Sequence, residues 1–106
     1  MAQMLTESDN NRKLSIHSGD TMRITLPENA TTGYRWQIDR CERDIVGVVA
    51  EDPQYTSTVV GSGGHVEFVL QGRKPGVCEI ALKQWRSWEG DTSVIARFRL
   101  YVTVLP

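Results

Sequence analysis

Catalysis needs a nucleophile with a base beside it, a pair of acid and base groups, or a set of metal ligands. This chain offers few of these. His17 and His65 are its histidines, in the turn-like contexts "HSGD" and "SGGH", and Cys41 and Cys78 are its cysteines. Cys41 sits in the charged stretch "DRCERD", with no histidine near it in sequence to act as base. Cys78 falls on the apolar parity of an alternating segment, where a buried, reduced thiol is expected. No Cys-x-x-Cys spacing marks a redox or zinc motif, and a Cys41–Cys78 bridge stays open at the level of sequence. The carboxylates are scattered without metal-ligand spacing. "GSGG" at 61–64 lacks the G-K-[ST] ending of a phosphate loop. The expectation is therefore no cofactor, no metal and no enzymatic activity.

Three other segments have contents that ordinary turns do not require. The first is "NATTGYRW", residues 29–36. Asn29 and Gly33 suit a turn, but Thr31 and Thr32 are stiff at χ1, and Tyr34 and Trp36 are large. The second is Gly61-Ser62-Gly63-Gly64-His65, whose glycines let a partner come close to the backbone. The third is "QWRSWEGD", residues 84–91, with Trp85, Arg86 and Trp88 beside an acidic turn. Trp, Tyr and Arg are the residue types enriched at binding hot spots. Core packing competes as an explanation for Trp36 and Trp85, and least well for Trp88.

The elements that must carry these segments read as strands. Ala96, Phe98, Leu100, Val102 and Val104 alternate with Arg97, Arg99, Tyr101 and Thr103, the pattern of a half-buried strand. The same alternation runs through Met22-Ile24-Leu26, Val66-Phe68-Leu70 and Cys78-Ile80-Leu82. The continuous apolar run 45–50 reads as a more buried strand. Turn clusters fall between these runs at 17–20, 27–33, 51–54, 61–64, 72–76 and 89–92. No segment keeps a 3.6-residue period. The pattern predicts an all-β protein, an Ig-like β-sandwich of about seven to eight mostly antiparallel strands. Residues 1–12 read as a flexible tail and 13–106 as one domain. With 106 residues, 40% hydrophobic and 24% charged, the chain suits a single folded domain. A net charge of −1 gives no basic field for nucleic acid or anionic lipid, and no apolar run is long enough to cross a bilayer.

Taken in order, Asn29-Ala30-Thr31-Thr32-Gly33-Tyr34, Gly61-Ser62-Gly63-Gly64 and Arg86-Ser87-Trp88 resemble the three loop motifs of the chagasin family of cysteine-peptidase inhibitors: N-P-T-T-G-Y, G-x-G-G and R-P-W/F. The resemblance spans about residues 14 to 106. It implies an Ig-like sandwich with three loops at one end, acting as a tight, reversible plug in the active-site cleft of a papain-like cysteine peptidase. It assigns Thr31, Thr32 and Gly33 to the centre of the plug, with Asn29 and Tyr34 of the same loop also binding the peptidase. Gly61, Ser62, Gly63, Gly64 and His65 flank one side, and Arg86 with Trp88 the other. Such a plug works as a monomer and needs no chemistry of its own.

Two positions depart from the family pattern, Ala30 and Ser87 standing where it has proline. The first loosens the central loop by about 0.4–1 kcal/mol of chain entropy. The second leaves the aim of Trp88 less defined. Ala30 also completes an N-x-[ST] sequon at Asn29, and a glycan there would stand in the proposed binding face. A cytoplasmic setting, or a bacterial periplasmic or secreted one after removal of a leader, fits that reading. The competing reading is an Ig-like adhesion or carbohydrate-binding module that uses Trp85, Trp88 and Tyr34 as stacking platforms.

Overall fold

Alternating apolar residues become two stacked sheets. A computed structural model describes residues 2–28, 32–55 and 64–106, with the backbone alone for Ala2 and 52–55. The described residues form eight strands: β1 (Ala2–Thr6), β2 (Arg12–His17), β3 (Thr21–Glu28), β4 (Arg35–Arg40), β5 (Val46–Tyr55), β6 (Gly64–Gly72), β7 (Gly76–Trp85) and β8 (Ala96–Leu105). One sheet has the order β1-β3-β6-β5 and the other β2-β8-β7-β4. The pairs are antiparallel except at two edges, where β1 runs parallel to β3 and β2 parallel to β8.

The alternation read from the sequence sets which face each residue takes. Met22, Ile24 and Leu26 of β3 and Val66, Phe68 and Leu70 of β6 point inward from one sheet. They meet Cys78, Ile80 and Leu82 of β7 and Phe98, Leu100, Val102 and Val104 of β8. Burying a side chain of this size contributes about 1.5–3 kcal/mol each. Trp36 of β4 joins this core at one end, 7% exposed.

Several local expectations are corrected. Residues 1–12 are not a loose tail through their whole length: β1 pairs in register with β3 from Ala2↔Thr21 to Thr6↔Thr25, and Leu5 is buried opposite Ile24. One apolar anchor in a polar stretch is enough when the neighbouring strand supplies the backbone hydrogen bonds. The "EDPQ" stretch is not a turn but part of β5, paired with β6. β5 is an edge strand, where a proline can sit without removing a bond from the sheet interior. For the same reason the run 45–50 is buried only at its start. Val46 is fully covered, whereas Val49 sits at a bulge between Val48 and Ala50 and is exposed. His17 and His65 lie on strand ends rather than in turns.

Cys41 and Cys78 are free thiols. Cys41 Sγ donates to the Val46 carbonyl at 3.3 Å, and Cys78 Sγ accepts the Glu42 amide at 3.4 Å. Burial pushes the Cys41 thiol up to about 11 and raises that of Cys78 as well. At acid pH the direction reverses: the amide of Thr6 bonded to Asp9 and that of His17 bonded to Asp20 hold these two carboxyls below their usual range. A raised folded-state pKa gives stability that is complete below the unfolded thiol value of about 8.5 and lost as pH rises toward 11. The lowered carboxyls give stability that is present above about pH 4 and lost on acidification. The thermal midpoint is expected to be nearly flat from about pH 5 to 8 and to fall above about pH 9. A midpoint that still rises from pH 9 to 11 contradicts the buried-thiol assignment.

Candidate functional site

The site is built on one end of the sandwich, where β3, β5 and β7 finish and β4, β6 and β8 begin. Its root is a clasp between the two sheets. Glu28, the last residue of β3, is buried, and its carboxylate accepts the Trp36 amide at 2.7 Å. The Trp36 indole Nε1 donates to the Pro27 carbonyl at 2.8 Å. Both partners of a buried polar contact are thereby satisfied, as burial demands. On the other side Pro27 and Glu28 pair with His65 and Gly64 of β6, and Gly64 pairs with Tyr55 of β5. The stems of the first two segments therefore stand side by side.

The third segment locks onto the first. Arg86 directs Nε and Nη2 at the Thr32 carbonyl, at 3.1 and 2.8 Å, and its guanidinium lies 4.2 Å from the centroid of the Tyr34 ring. Its remaining Nη1 reaches the Glu89 carboxylate at 3.4 Å. A planar fork with several donors and a stacking face does this; a lysine could not. Gly33 has φ +77°, the left-handed region, and a Cβ placed there would stand 2.9 Å from Cη2 of Trp88. The indole thus rests against a backbone position kept bare. Trp88 is otherwise 70% exposed.

Residues 86–94 are also hydrogen-bonded among themselves. Ser87–Glu89 and Asp91–Ser93 are single 3-10 turns that share Gly90 as a cap. Ser93 Oγ sits 2.6 Å from the Gly90 carbonyl and 2.9 Å from that of Arg86, and it accepts the Arg86 amide at 3.0 Å. Arg86 itself is extended, with φ −103° and ψ 108°. That is close to the extended conformation favoured for a residue before proline.

Of the residues singled out by sequence, Thr32, Gly33, Tyr34, Arg86 and Trp88 are in one contiguous group, with Gly64 and His65 at the adjoining stem. Asn29, Thr31, Gly61, Ser62 and Gly63 lie outside the described residues. Trp85 is not an open platform: its ring covers the Lys83 ammonium at 3.6 Å and its Nε1 donates to Gln37 Oε1 at 2.9 Å. A shallow concavity of about 320 Å³ opens beside the group, between Gly33, Arg35, Glu51 and Trp88. Among the described residues no three His, Cys, Asp or Glu side chains are grouped to hold a metal. Sequence reading passed over Glu28, Lys83 and Ser93. A carboxylate on the apolar parity of β3, in step with Met22, Ile24 and Leu26, was the available signal for Glu28.

A profile of the chagasin family, peptidase inhibitor I42, matches residues 15–102. The chain belongs to the chagasin family. Amoebiasin-1 of Entamoeba histolytica is 36% identical over 86 residues, covering 79% of this chain and 82% of its own. The crystal structure of a cysteine protease inhibitor from the same organism superposes with a TM-score of 0.84 at 24% identity, over 97% of this chain and 94% of that one. PbICP-C, solved in complex with falcipain-2, superposes with a TM-score of 0.67 at 21% identity, over 98% and 89%. The chagasin family consists of inhibitors, so the Ig-like sandwich here is a chagasin-type scaffold for binding and not for catalysis.

Proposed function

We propose that this chain inhibits papain-like cysteine peptidases by filling the active-site cleft with the tip formed by Thr32, Gly33, Tyr34, Arg86 and Trp88, flanked by the segment that ends at Gly64 and His65. The observation that supports this reading most is the double contact of Arg86 with the Thr32 carbonyl together with the seat of Trp88 on Gly33. Two loops, one crossing from β3 to β4 and one joining β7 to β8, are joined into one wedge before any partner arrives. Pre-ordering matters because each side chain immobilised on binding costs about 0.5–1.5 kcal/mol. Gly33 and Thr32 keep the tip thin enough for a narrow cleft, and Trp88 supplies apolar area beside it. No chemistry is required of the inhibitor.

Adding the protein to papain or a cathepsin L-like enzyme, at enzyme concentrations above Kd, is expected to abolish activity at near-equimolar ratio, with the inhibitor chain intact by mass. Activity that persists with the inhibitor in large excess, or steady cleavage of the chain, overturns the reading.

Arg86 acts within this wedge as a positioning residue, because its donors are turned inward. Replacing Arg86 by Ala removes hydrogen bonds from a charged group worth about 1.5–3 kcal/mol, so Ki is expected to rise roughly 10- to 150-fold. Arg86→Lys should recover little of this, since one ammonium cannot supply the fork and the stack together. Full recovery by Lys would show that charge alone matters.

A further inference from the structure

Lys83 and Glu28 are the charged residues buried among those described. Lysine is rarely covered unless it is paired, and Lys83 is paired in a particular place. It stands on the outward face of β7, beneath the return leg of the third segment. Its Nζ lies 3.0 Å from Asp91 Oδ1 and 3.3 Å from Asp39 Oδ1, with the Trp85 ring over it. Asp39 occupies the bulge of β4 between Ile38 and Arg40. The other Asp39 oxygen is 3.8 Å from Arg97, which pairs with Lys83 across β7 and β8. One ammonium therefore joins the leg of the Trp88 segment to the strand that leads out of the Thr32–Gly33 segment.

We infer that Lys83 is a positioning residue for inhibition: its ammonium holds Asp91 down on the sheet and so fixes the direction in which Trp88 is presented. This rests on the wedge reading above. The link from Asp91 to Trp88 is mechanical. Ser93 Oγ ties Gly90 and Arg86 together, and the Ser93 and Val94 amides bond to the Gly90 and Asp91 carbonyls. The segment moves as one piece, so a hold at Asp91 is a hold on Trp88. The hydrogen bond to Asp91 also raises the Lys83 pKa, so the tie stays charged throughout the neutral range. Without the ammonium, the Asp39 and Asp91 carboxylates face each other. Their side chains are 39% and 81% exposed, so both can rehydrate and the leg swings outward while the sandwich stays folded.

The test uses the whole protein with Lys83→Met, and Asp91→Asn as a second variant that leaves the lysine in place. In the free protein, hydrogen exchange at the Ile95 amide, which bonds the leg to the Gln84 carbonyl of β7, is expected to quicken by about tenfold or more, with Phe68 and Leu100 unchanged. Against papain, Lys83→Met is expected to weaken binding by about tenfold, mostly through faster dissociation. In a Trp88→Ala background the same change should have almost no further effect, since the lysine acts through that indole. Unchanged exchange at Ile95, or losses that simply add in the double variant, overturns the proposal. A wild-type protein that fails to inhibit overturns the wedge reading instead, and the exchange measurement still decides whether Lys83 holds the segment.

Discussion

Substituting alanine for Gly33 is expected to reduce affinity for a papain-like peptidase by about two orders of magnitude while leaving the protein folded. Two causes act at this position. The φ of +77° is in the left-handed region, where a side chain costs roughly 1–2 kcal/mol. The new Cβ would also stand 2.9 Å from Cη2 and 3.4 Å from Cζ2 of Trp88. Those atoms are the far end of a side chain that is 70% exposed, so the indole can swing aside at small cost to the fold. Its place in the wedge is what is lost. Thermal unfolding should shift by roughly 4–8 °C for each kcal/mol of strain, a loss that leaves the fold in place. Gly33→Asn separates the causes, because asparagine accepts the left-handed region better but carries the same Cβ. An asparagine variant as weak as the alanine one assigns the effect to displaced Trp88. Unaltered Ki in both would mean that the seat of Trp88 on Gly33 has no part in inhibition.

The largest expected effect on stability comes from Glu28. Its carboxylate receives a buried amide from Trp36 at 2.7 Å, across the junction of the two sheets. Glu28→Ala leaves that amide without its acceptor and opens a void beside Trp36. An orphaned buried group costs about 1–3 kcal/mol, and a bond to a charged group is at the upper end. The thermal midpoint should fall by about 10–20 °C. Glu28→Gln keeps an acceptor oxygen of the same reach and should lose distinctly less. If alanine and glutamine unfold at the same temperature, the hydrogen bond is not what makes Glu28 matter. The position also bears on function: Glu28 closes the base from which the Thr32–Gly33 segment departs, so loosening it adds ordering cost to binding.

These expectations differ in how visible they were before folding. The strands with clean alternation, β3, β6, β7 and β8, follow from local sequence, because side-chain parity along a strand depends only on neighbours in the chain. The three segments were visible for a similar reason. A glycine beside two threonines, or a tryptophan next to an acidic turn, conflicts with what a plain connection needs, and family membership itself is what the comparison bears out. The Ig-like sandwich follows from both.

What the chain did not disclose depends on partners distant in sequence. β1 looked like a tail because only Leu5 marks it, and its order comes from parallel pairing with β3. Pro53 looked like a turn because its lack of a donor matters only once β5 is known to be an edge. Arg86 and Lys83 are long, flexible side chains whose charges sequence reading assigns to solvent or to a partner. Pairing β4 with β7 brings Thr32 to Arg86, and the β7–β8 connection folds Asp91 back over Lys83. Alternation is a property of one strand, and the sequence carries it residue by residue. The Thr32 carbonyl meets Arg86 across 54 positions of chain and Asp91 meets Lys83 across 8, and both contacts are placed by strand register and the path of the connection, which exist only in the folded molecule.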